Sequence, residues 1–412
     1  MSFTMPEQGR TWDVLSKEML ERGGSDVKWR DGKTAVYVFN AGDDVTRVQK
    51  GAYTMYMSEN GLGPLAFPSL KQMEDEVISM GLNLLHAPDG AAGNITSGGT
   101  DSITMAIKAA RDYARAAGKL KGQANIVAPW SAHPAFDKAA KMMDIEMRRV
   151  ACGPDFLADA AAMGARVDDN TIMMVGSAPC FPYGLMDPIE RLGAVAKAHD
   201  VWLHVDACVG GYFAPFAKMN GVPLKPFDFE VPEVKSISAD LHKYGYAAKG
   251  ASTVLFRTAE LQSHMIFDCA DWPGGRMITP TLAGTRPGGA IAAAWAVMNY
   301  LGVEGYKQKQ GTVCAVREHI ERGVKRMGFE IVGHPQLGLI AFYHPKYDAF
   351  ALWGKMMEKG WFTSVTTEPK SLHLMLSPFH AMVQDQYLAD LQTSMAEIDA
   401  GNAGDVKEVR YS

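Results

Sequence analysis

The sequence predicts an α/β protein built from a large, doubly wound, mostly parallel sheet and a smaller α/β domain towards the C-terminus. Between about residues 94 and 260, short apolar runs alternate with amphipathic stretches of helical period. The apolar runs are continuous, which is typical of strands that are covered by helices on both faces. A passage rich in glycine and proline, residues 271–290, interrupts this alternation, and further strands and helices follow it.

The elements are placed in chain order by their own patterns. Residues 1–55 are predicted to form a polar N-terminal arm that starts with the helix "TWDVLSKEMLERGG", which ends at two glycines. The large domain, residues 56–300, has helices at 101–118 and 188–200 and strands at 124–129, 147–151, 171–178, 201–207, 235–240 and 252–257. A long helical region runs to about residue 328. The small domain, residues 301–412, contains the strands "FEIVG", "LGLIAFYH" and "SLHLMLS".

Composition and charge exclude several classes of function. The 412-residue chain has a net charge of −5, which argues against a protein that coats nucleic acid or an anionic membrane. Its five cysteines form no CxxC pair, so we expect neither a zinc ribbon, nor another metal site, nor a disulfide framework. Unpaired thiols suit a cytoplasmic location. The N-terminal residues lack an apolar segment, so we expect no signal peptide. The sequence contains no run of 18 apolar residues, so we expect no membrane span.

Four features of the chain stand where a strand would end and a helix begin, which is where functional groups gather in a parallel sheet. The first is the turn "TSGGTDSI", residues 96–103, in which Gly98, Gly99 and Thr100 open a helix. Gly98 and Gly99 would let the backbone come close to a phosphate, and Thr100 would offer its hydroxyl beside the amides of the helix N-terminus. The turn could therefore bind a phosphate, although the same pattern also suits a plain helix start.

The other three features are single side chains. Asp206 ends the strand "VWLHVDA", as either a helix cap or a functional anion. His133 follows another strand and could be a packed loop residue. Lys243 follows "SISAD" in a small-residue run, where a long cationic side chain bears a desolvation cost.

Together, these four features indicate pyridoxal 5′-phosphate. Its aldehyde forms a Schiff base with an amine, and we expect desolvation to depress the pKa of Lys243 and so make that lysine nucleophilic. Its pyridine nitrogen requires a buried carboxylate, here Asp206, to stay protonated. His133 would stack on the ring. His242 would donate to the phosphate beside the glycine turn.

Five segments, in order and spacing, resemble the motifs of one enzyme family: "TSGGTDSI", "SAHPAFDKAAK", "HVDACVGGY", "SADLHKYGYAAKG" and "TPTLAGTRPGG". The family is that of the sphingosine-1-phosphate lyases, which belong to the fold-type I pyridoxal-phosphate enzymes and are grouped with the group II amino-acid decarboxylases. The resemblance begins near residue 26 and fades after about residue 305, so it covers roughly three quarters of the chain.

The resemblance implies a fold-type I architecture and a homodimer whose active sites are shared between subunits. It implies that Lys243 is the Schiff-base lysine, that Asp206 pairs with the pyridinium, and that His133 stacks on the ring. Gly99, Thr100 and His242 would bind the phosphate, and Gly284 and Thr285 would reach the cofactor of the partner. Lys249 matches a family lysine near the catalytic centre, although an exposed turn lysine is the alternative interpretation.

Departures from the family pattern predict an altered substrate pocket. Gly63 stands where the family carries a histidine, and Phe39 and Met277 stand in place of tyrosines. A site that loses such donors changes its preferred substrate. Arg276 adds a cation, which would either clamp a carboxylate or phosphate of a small amine substrate or pair at the rim with Asp268 or Asp271.

The leading hypothesis is therefore a pyridoxal-phosphate lyase that cleaves a carbon–carbon bond of a β-hydroxy amine or a phosphorylated amino alcohol by retro-aldol chemistry. The alternative on the same scaffold is an amino-acid decarboxylase, in which Arg276 would recognise a distal acid. A catalytically dead scaffold is a third possibility, which the intact Lys243 and Asp206 oppose.

Overall fold

The computed structural model describes residues 4–402. Residues 1–3 of the predicted arm and 403–412 of the predicted small domain lie outside this range. The large sheet consists of β1 Ala92–Thr96, β2 Asn125–Pro129, β3 Glu146–Val150, β4 Thr171–Ser177, β5 Trp202–Asp206, β6 Val234–Ala239 and β7 Ser252–Phe256. Its strand order is β1-β7-β6-β5-β4-β2-β3. Strand β7 runs antiparallel to both of its neighbours, whereas the other adjacent strands are parallel.

Helices precede, connect and follow these strands. Up to the end of the large sheet they are α1 Trp12–Arg22, α2 Asp43–Met55, α3 Pro68–Leu84, α4 Gly99–Ala116, α5 Ala135–Met142, α6 Ala160–Gly164, α7 Ile189–His199 and α8 Ala214–Met219. Short 3₁₀ turns at Gly23–Ser25 and Trp29–Asp31 lie between α1 and α2.

Helices cover both faces of the large sheet, as its continuous apolar strands predict. Neighbouring residues of one strand enter different apolar clusters, since Ile126 packs with α4 and α5, whereas Val127 joins the cluster that contains α3, α7 and α8. The doubly wound, mostly parallel sheet is therefore confirmed.

The second half of the chain begins with helix α9 Ala259–Ser263 and a two-stranded ribbon, β8 Phe267–Cys269 and β9 Met277–Thr279. Helix α10 Gly288–Arg326 follows and is kinked at Gly302. An antiparallel sheet then combines β10 Glu330–Ile331, β11 Leu339–Tyr343, β12 Ser364–Thr367 and β13 Lys370–Met375 in the order β10-β11-β13-β12. Helices α11 Ala349–Glu358 and α12 Gln384–Asp399, with a 3₁₀ turn at Pro378–Met382, complete the domain.

The predicted domain boundary near residue 300 falls inside α10. Part of the predicted N-terminal arm also packs with the small sheet, because the amide of Ala35 donates to the carbonyl of Phe362 and the amide of Met375 donates to the carbonyl of Ala35. The domain limits therefore remain predictions. Between residues 4 and 402, no helix combines the length and apolar character that a membrane crossing requires.

Candidate active site

The carboxyl ends of the parallel strands surround a cavity of about 460 Å³. The elements β1, β2, β5 and β6 each deliver a loop to this cavity, and the sequence-predicted cofactor residues of all four loops line it. These residues are Gly98, Gly99, Thr100, His133, Asp206, His242 and Lys243. The topology thus brings together side chains that are up to 145 positions apart, as the strand-end argument predicts.

The glycine turn leads directly from β1 into helix α4. A carboxylate oxygen of Asp101 accepts from both the amide and the hydroxyl of Ser97, at 2.9 and 3.0 Å, and so holds the turn in shape. A Cβ atom at Gly99 would lie 2.9 Å from both Asp240 Oδ2 and Cys208 Sγ, which leaves no room for a larger residue. The exposed Thr100 hydroxyl and the helix amides beside it therefore remain accessible to an anion.

Asp206 and His133 form another part of the wall. Asp206 is buried at the end of β5, where one carboxylate oxygen accepts from the amide of Cys208 at 3.0 Å and from the hydroxyl of Ser238 at 3.4 Å. His133 Nδ1 accepts from the amide of Ala135 at 3.1 Å. Burial lowers the pKa of His133, against the opposing effect of Asp206. The imidazole is therefore neutral near pH 7, a state suited to stacking on an aromatic ring.

Lys243 is paired with a residue that the sequence analysis did not single out. Its Nζ lies 2.9 Å from Asp240 Oδ2, and Asp240 is buried immediately after β6. Burial alone would lower the pKa of Lys243, but the negative charge of Asp240, with smaller effects from other neighbours, raises it above its usual value. The expectation of a depressed pKa is wrong, because it considered desolvation without the counter-charge. The signal was available, since Asp240, like Asp206, directly follows an apolar strand.

His242 faces the same cavity from the position next to Lys243. Within residues 4–402 its buried Nδ1 has no hydrogen-bond partner, and its Nε2 is 3.8 Å from Asp240 Oδ2. Burial lowers the pKa of His242. A buried ring nitrogen without a partner costs free energy unless a ligand supplies one, so this position fits a phosphate oxygen.

Lys249 lies behind this wall. Its Nζ donates to the carbonyl of Tyr37 at 2.9 Å and lies 5.3 Å from the ring centroid of Phe39. The residue as a whole is exposed, but partial desolvation of its ammonium group and repulsion from Lys243 lower its pKa to about 8, against a smaller opposing effect of Asp240. The Phe39 ring also packs edge-on against Tyr244 at 4.8 Å, so Phe39 supports Lys249 rather than lining the cavity.

A second cavity of about 400 Å³ adjoins the first, and His133 and Phe181 line both. Its wall includes Tyr37, whose backbone adopts a left-handed conformation with φ 61°. The sequence analysis passed over Tyr37 because the backbone turn that directs it lies outside any regular element. A phenol two positions before Phe39 therefore stands near the site.

Gly63, Arg276, Gly284 and Thr285 do not line the Lys243 cavity among the residues described. Arg276 is exposed, and its Nε donates to Asp268 at 2.9 Å, which matches the rim ion pair. Thr285 accepts a hydrogen bond from Asn60 at 3.2 Å. The exposed apolar side chains that surround these loops include Leu62, Leu65, Met277 and Leu282.

The residues on the cavity wall fit pyridoxal 5′-phosphate. Lys243 offers the amine, the buried Asp206 carboxylate suits a protonated ring nitrogen, and His133 offers a flat neutral ring. The helix amides and hydroxyl at Thr100 and the nitrogen of His242 suit the phosphate.

Comparison with known proteins gives the same assignment. Residues 4–344 match the pyridoxal-dependent decarboxylase conserved domain. The chain is 41% identical to a sphingosine-1-phosphate lyase from Oryza sativa subsp. japonica, covering 91% of this chain and 71% of that protein. It is 33% identical to a probable L-tyrosine/L-aspartate decarboxylase from Methanothermobacter thermautotrophicus, covering 82% of this chain and 92% of that protein.

Solved structures agree with the sequence relationships. A sphingosine-1-phosphate lyase from Burkholderia pseudomallei superposes with a TM-score of 0.92 at 33% identity, covering 97% of this chain and 94% of that one. A glutamate decarboxylase from Lactobacillus brevis has a TM-score of 0.86 at 20% identity, which supports the fold alone. The predicted fold type I and cofactor are confirmed, and the chain belongs to the pyridoxal-dependent decarboxylase family as a pyridoxal-phosphate-dependent lyase.

Proposed function

We propose that the protein cleaves the Cα–Cβ bond of a β-hydroxy amine, including phosphorylated amino alcohols, by retro-aldol chemistry. The observation that carries this proposal is the position of a second lysine, Lys249, behind the cavity wall, where its Nζ is held by the carbonyl of Tyr37 and its lowered pKa suits a base. Retro-aldol cleavage needs a base for the β-hydroxyl proton, whereas loss of CO₂ from an amino acid does not. The identity to sphingosine-1-phosphate lyases supports the same reaction.

The wall residues would hold the cofactor in the roles that their positions favour. Lys243 would bond to the aldehyde carbon, Asp206 would keep the proton on the ring nitrogen, and His133 would stack on the ring. Gly98, Gly99, Thr100 and His242 would bind the phosphate. When bound there, the cofactor supplies an electron sink for the electron pair left on Cα.

The chain itself would move two protons. Lys249 would take the proton of the β-hydroxyl group as the Cα–Cβ bond breaks and an aldehyde leaves, and Lys243 or a water would return a proton to Cα. The carbonyl of Tyr37 accepts from Lys249 and so orients its amine. The phenol of Tyr37 lies on the adjoining cavity, where it could meet a polar group of the substrate.

The test is to incubate the purified protein with panels of β-hydroxy amines and amino acids and to assay aldehyde and CO₂. We expect aldehyde without CO₂, and we expect Lys249→Met to lose this product while keeping bound cofactor. Amino-acid decarboxylation is the second candidate, favoured by the relationship to the archaeal decarboxylase. Release of CO₂ without aldehyde would establish that candidate and overturn the lyase proposal.

We further propose that the active protein is a homodimer with shared sites. Helix α1 has no buried residue, and Trp12, Met19 and Leu20 on it are exposed apolar side chains. The loops that carry Gly284 and Thr285 are similarly apolar at the surface. A second copy would cover these surfaces and bring both residues towards the opposite Lys243 cavity.

We also propose a cytoplasmic location. All five cysteines are free thiols, and burial raises the pKa of Cys180 to about 12, so that it stays protonated and unreactive. Free thiols of this kind suit a reducing compartment. Fractionation of the source cells followed by immunodetection tests this location, and recovery of the protein in a secreted fraction would overturn it.

A further inference from the structure

Asp240 occupies an unusual position for an anion. Its side chain is 1% exposed and stands beside the turn that would hold the cofactor phosphate. Two negative groups so close together repel each other in a site of low dielectric constant. Such a carboxylate is retained only where a cation neutralises it, and the nearest cation is the ammonium group of Lys243, at 2.9 Å.

The packing fixes Asp240 in this arrangement. The missing side chain of Gly99 leaves the space into which both carboxylate oxygens fit, because a Cβ there would lie 2.9 and 3.0 Å from them. Within the described part of the chain, Asp240 Oδ1 has no hydrogen-bond partner. The carboxylate thus faces the cavity, where Lys243 is its direct ionic partner, and His242 and the hydroxyl of Ser252 also favour its charged form.

We propose that Asp240 is a positioning residue that binds Nζ of Lys243, holding the amine at the cavity wall and stabilising a proton on it. This inference rests on the proposed attachment of pyridoxal phosphate to Lys243. A substrate that enters as an ammonium ion and takes the place of the lysine would pass one proton to the released amine, which would then return to Asp240 as an ammonium group. It would stay there, ready to give its proton to Cα.

Other ionisable groups around Asp240 and Lys243 also affect the pKa of Lys243, some raising it and others lowering it. Asp206 and Cys208 also favour the charged lysine, whereas Lys249 disfavours it. The other ionisable residues on the cavity are Asp101 and the two half-buried histidines, His133 and His242. Among the carboxylates of residues 4–402, Asp240 alone pairs directly with Nζ, so we expect its removal to change the proton affinity of Lys243 more than a change at these neighbours would.

The test is a pH titration of the cofactor absorbance in the full chain loaded with pyridoxal phosphate, because that absorbance reports the proton on Nζ. We expect Asp240→Asn to move the midpoint down by about one pH unit or more, a tenfold loss of proton affinity. Asp240→Glu should restore part of the shift. Asp228→Asn, which removes a buried carboxylate outside the site, should leave the midpoint unchanged.

A second measurement does not depend on cofactor binding or on the variants. In the full chain without cofactor, pH-dependent acetylation of Lys243 and Lys249 is followed by peptide mass spectrometry. We expect Lys249 to become reactive at a lower pH than Lys243. An equal or reversed order, or an unchanged midpoint in Asp240→Asn, overturns the role of Asp240. Failure to bind cofactor at Lys243 would instead overturn the proposed function, and the acetylation order would still decide on Asp240.

Discussion

At the scale of single residues, the site is governed by two lysines six positions apart with opposite behaviour. Asp240 raises the pKa of Lys243, whereas Lys249 has no carboxylate partner in the described chain and its pKa falls to about 8. One amine is thereby kept charged, and the other can release its proton near neutral pH. The difference in pKa between the two lysines follows from the Asp240 carboxylate, so the positions of the lysines in the sequence do not predict it.

Lys249 predicts the pH dependence of the reaction. A lysine with a lowered pKa is charged below about pH 8 and becomes a base above it, so kcat/KM should rise with pH through this value. Lys249→Arg should lower kcat/KM on the order of 100-fold and abolish that rise, because arginine stays protonated. Lys370→Arg, at an exposed lysine, should keep the wild-type profile. A rise that persists in Lys249→Arg would assign the base elsewhere.

At the scale of elements, the cavity is formed by the loops that follow the strands, so predicting the site depends on where each strand ends. The apolar runs correctly predicted β2 to β7, but β1 was missed because its alanine, glycine and asparagine lack an apolar pattern. The glycine at position 93 is required by packing, since a Cβ there would lie 2.8 Å from the carbonyl of Val254 on β7.

The cavity-wall residues were predicted from the ends of the apolar strands, which the sequence marks well. Tyr37 could not be predicted in this way because its left-handed turn lies outside any regular element, whereas Asp240 directly follows β6 and could have been.

The junction of β1 and α4 predicts a strict requirement for glycine. Gly99→Ala would force its Cβ against Asp240 and Cys208, so we expect cofactor affinity to fall at least about tenfold, which corresponds to roughly 1.4 kcal/mol. Equilibrium titration with pyridoxal phosphate measures this. Gly51→Ala, in the open middle of α2, should bind cofactor normally and gain up to about 1 kcal/mol of stability. Normal affinity in Gly99→Ala would refute the close-packing argument.

Helix α3 is joined to the loop before α10 by a buried ion pair. Arg286 Nη2 donates to Glu74 Oε2 at 2.9 Å, and both side chains are less than one tenth exposed. Glu74→Ala should lower the free energy of unfolding by about 3–5 kcal/mol, since it leaves a buried charge unpaired. Asp75→Ala, which breaks an exposed pair with Lys71, should cost no more than about 1 kcal/mol. Urea denaturation of both variants distinguishes these outcomes, and similar losses would contradict the burial argument.

At the scale of the whole molecule, the chain leaves several predicted site residues far from its own cavity. Gly284 and Thr285 lie on surface loops among exposed apolar side chains, and Arg276 is held at the rim by Asp268. A sequence resemblance can predict that such residues belong to a site, but one chain cannot bring them to it. The proposed second copy would supply the physical reason for both the loops and their apolar surroundings.

Shared sites predict complementation between two defective chains. Lys243→Ala and Gly284→Trp should each be inactive alone as homodimers. Mixed and exchanged, they should regain about a quarter of wild-type activity, because half of the dimers are hybrids and each hybrid has one intact site. Co-refolding followed by assay measures the recovery. Absence of recovery, with dimers present by sedimentation, would mean that each subunit works with its own loop.

The reversed direction of β7 has a consequence for the segment that carries Lys243. Because β7 pairs with β6 itself, residues 240–251 leave the sheet and rejoin the adjacent strand without any crossover helix. Lys243 therefore lies in a short connection whose two ends are adjacent strands of the same sheet. Both ends of this segment are therefore fixed to the large sheet, which holds Lys243 close to the strand ends that carry the rest of the cavity wall.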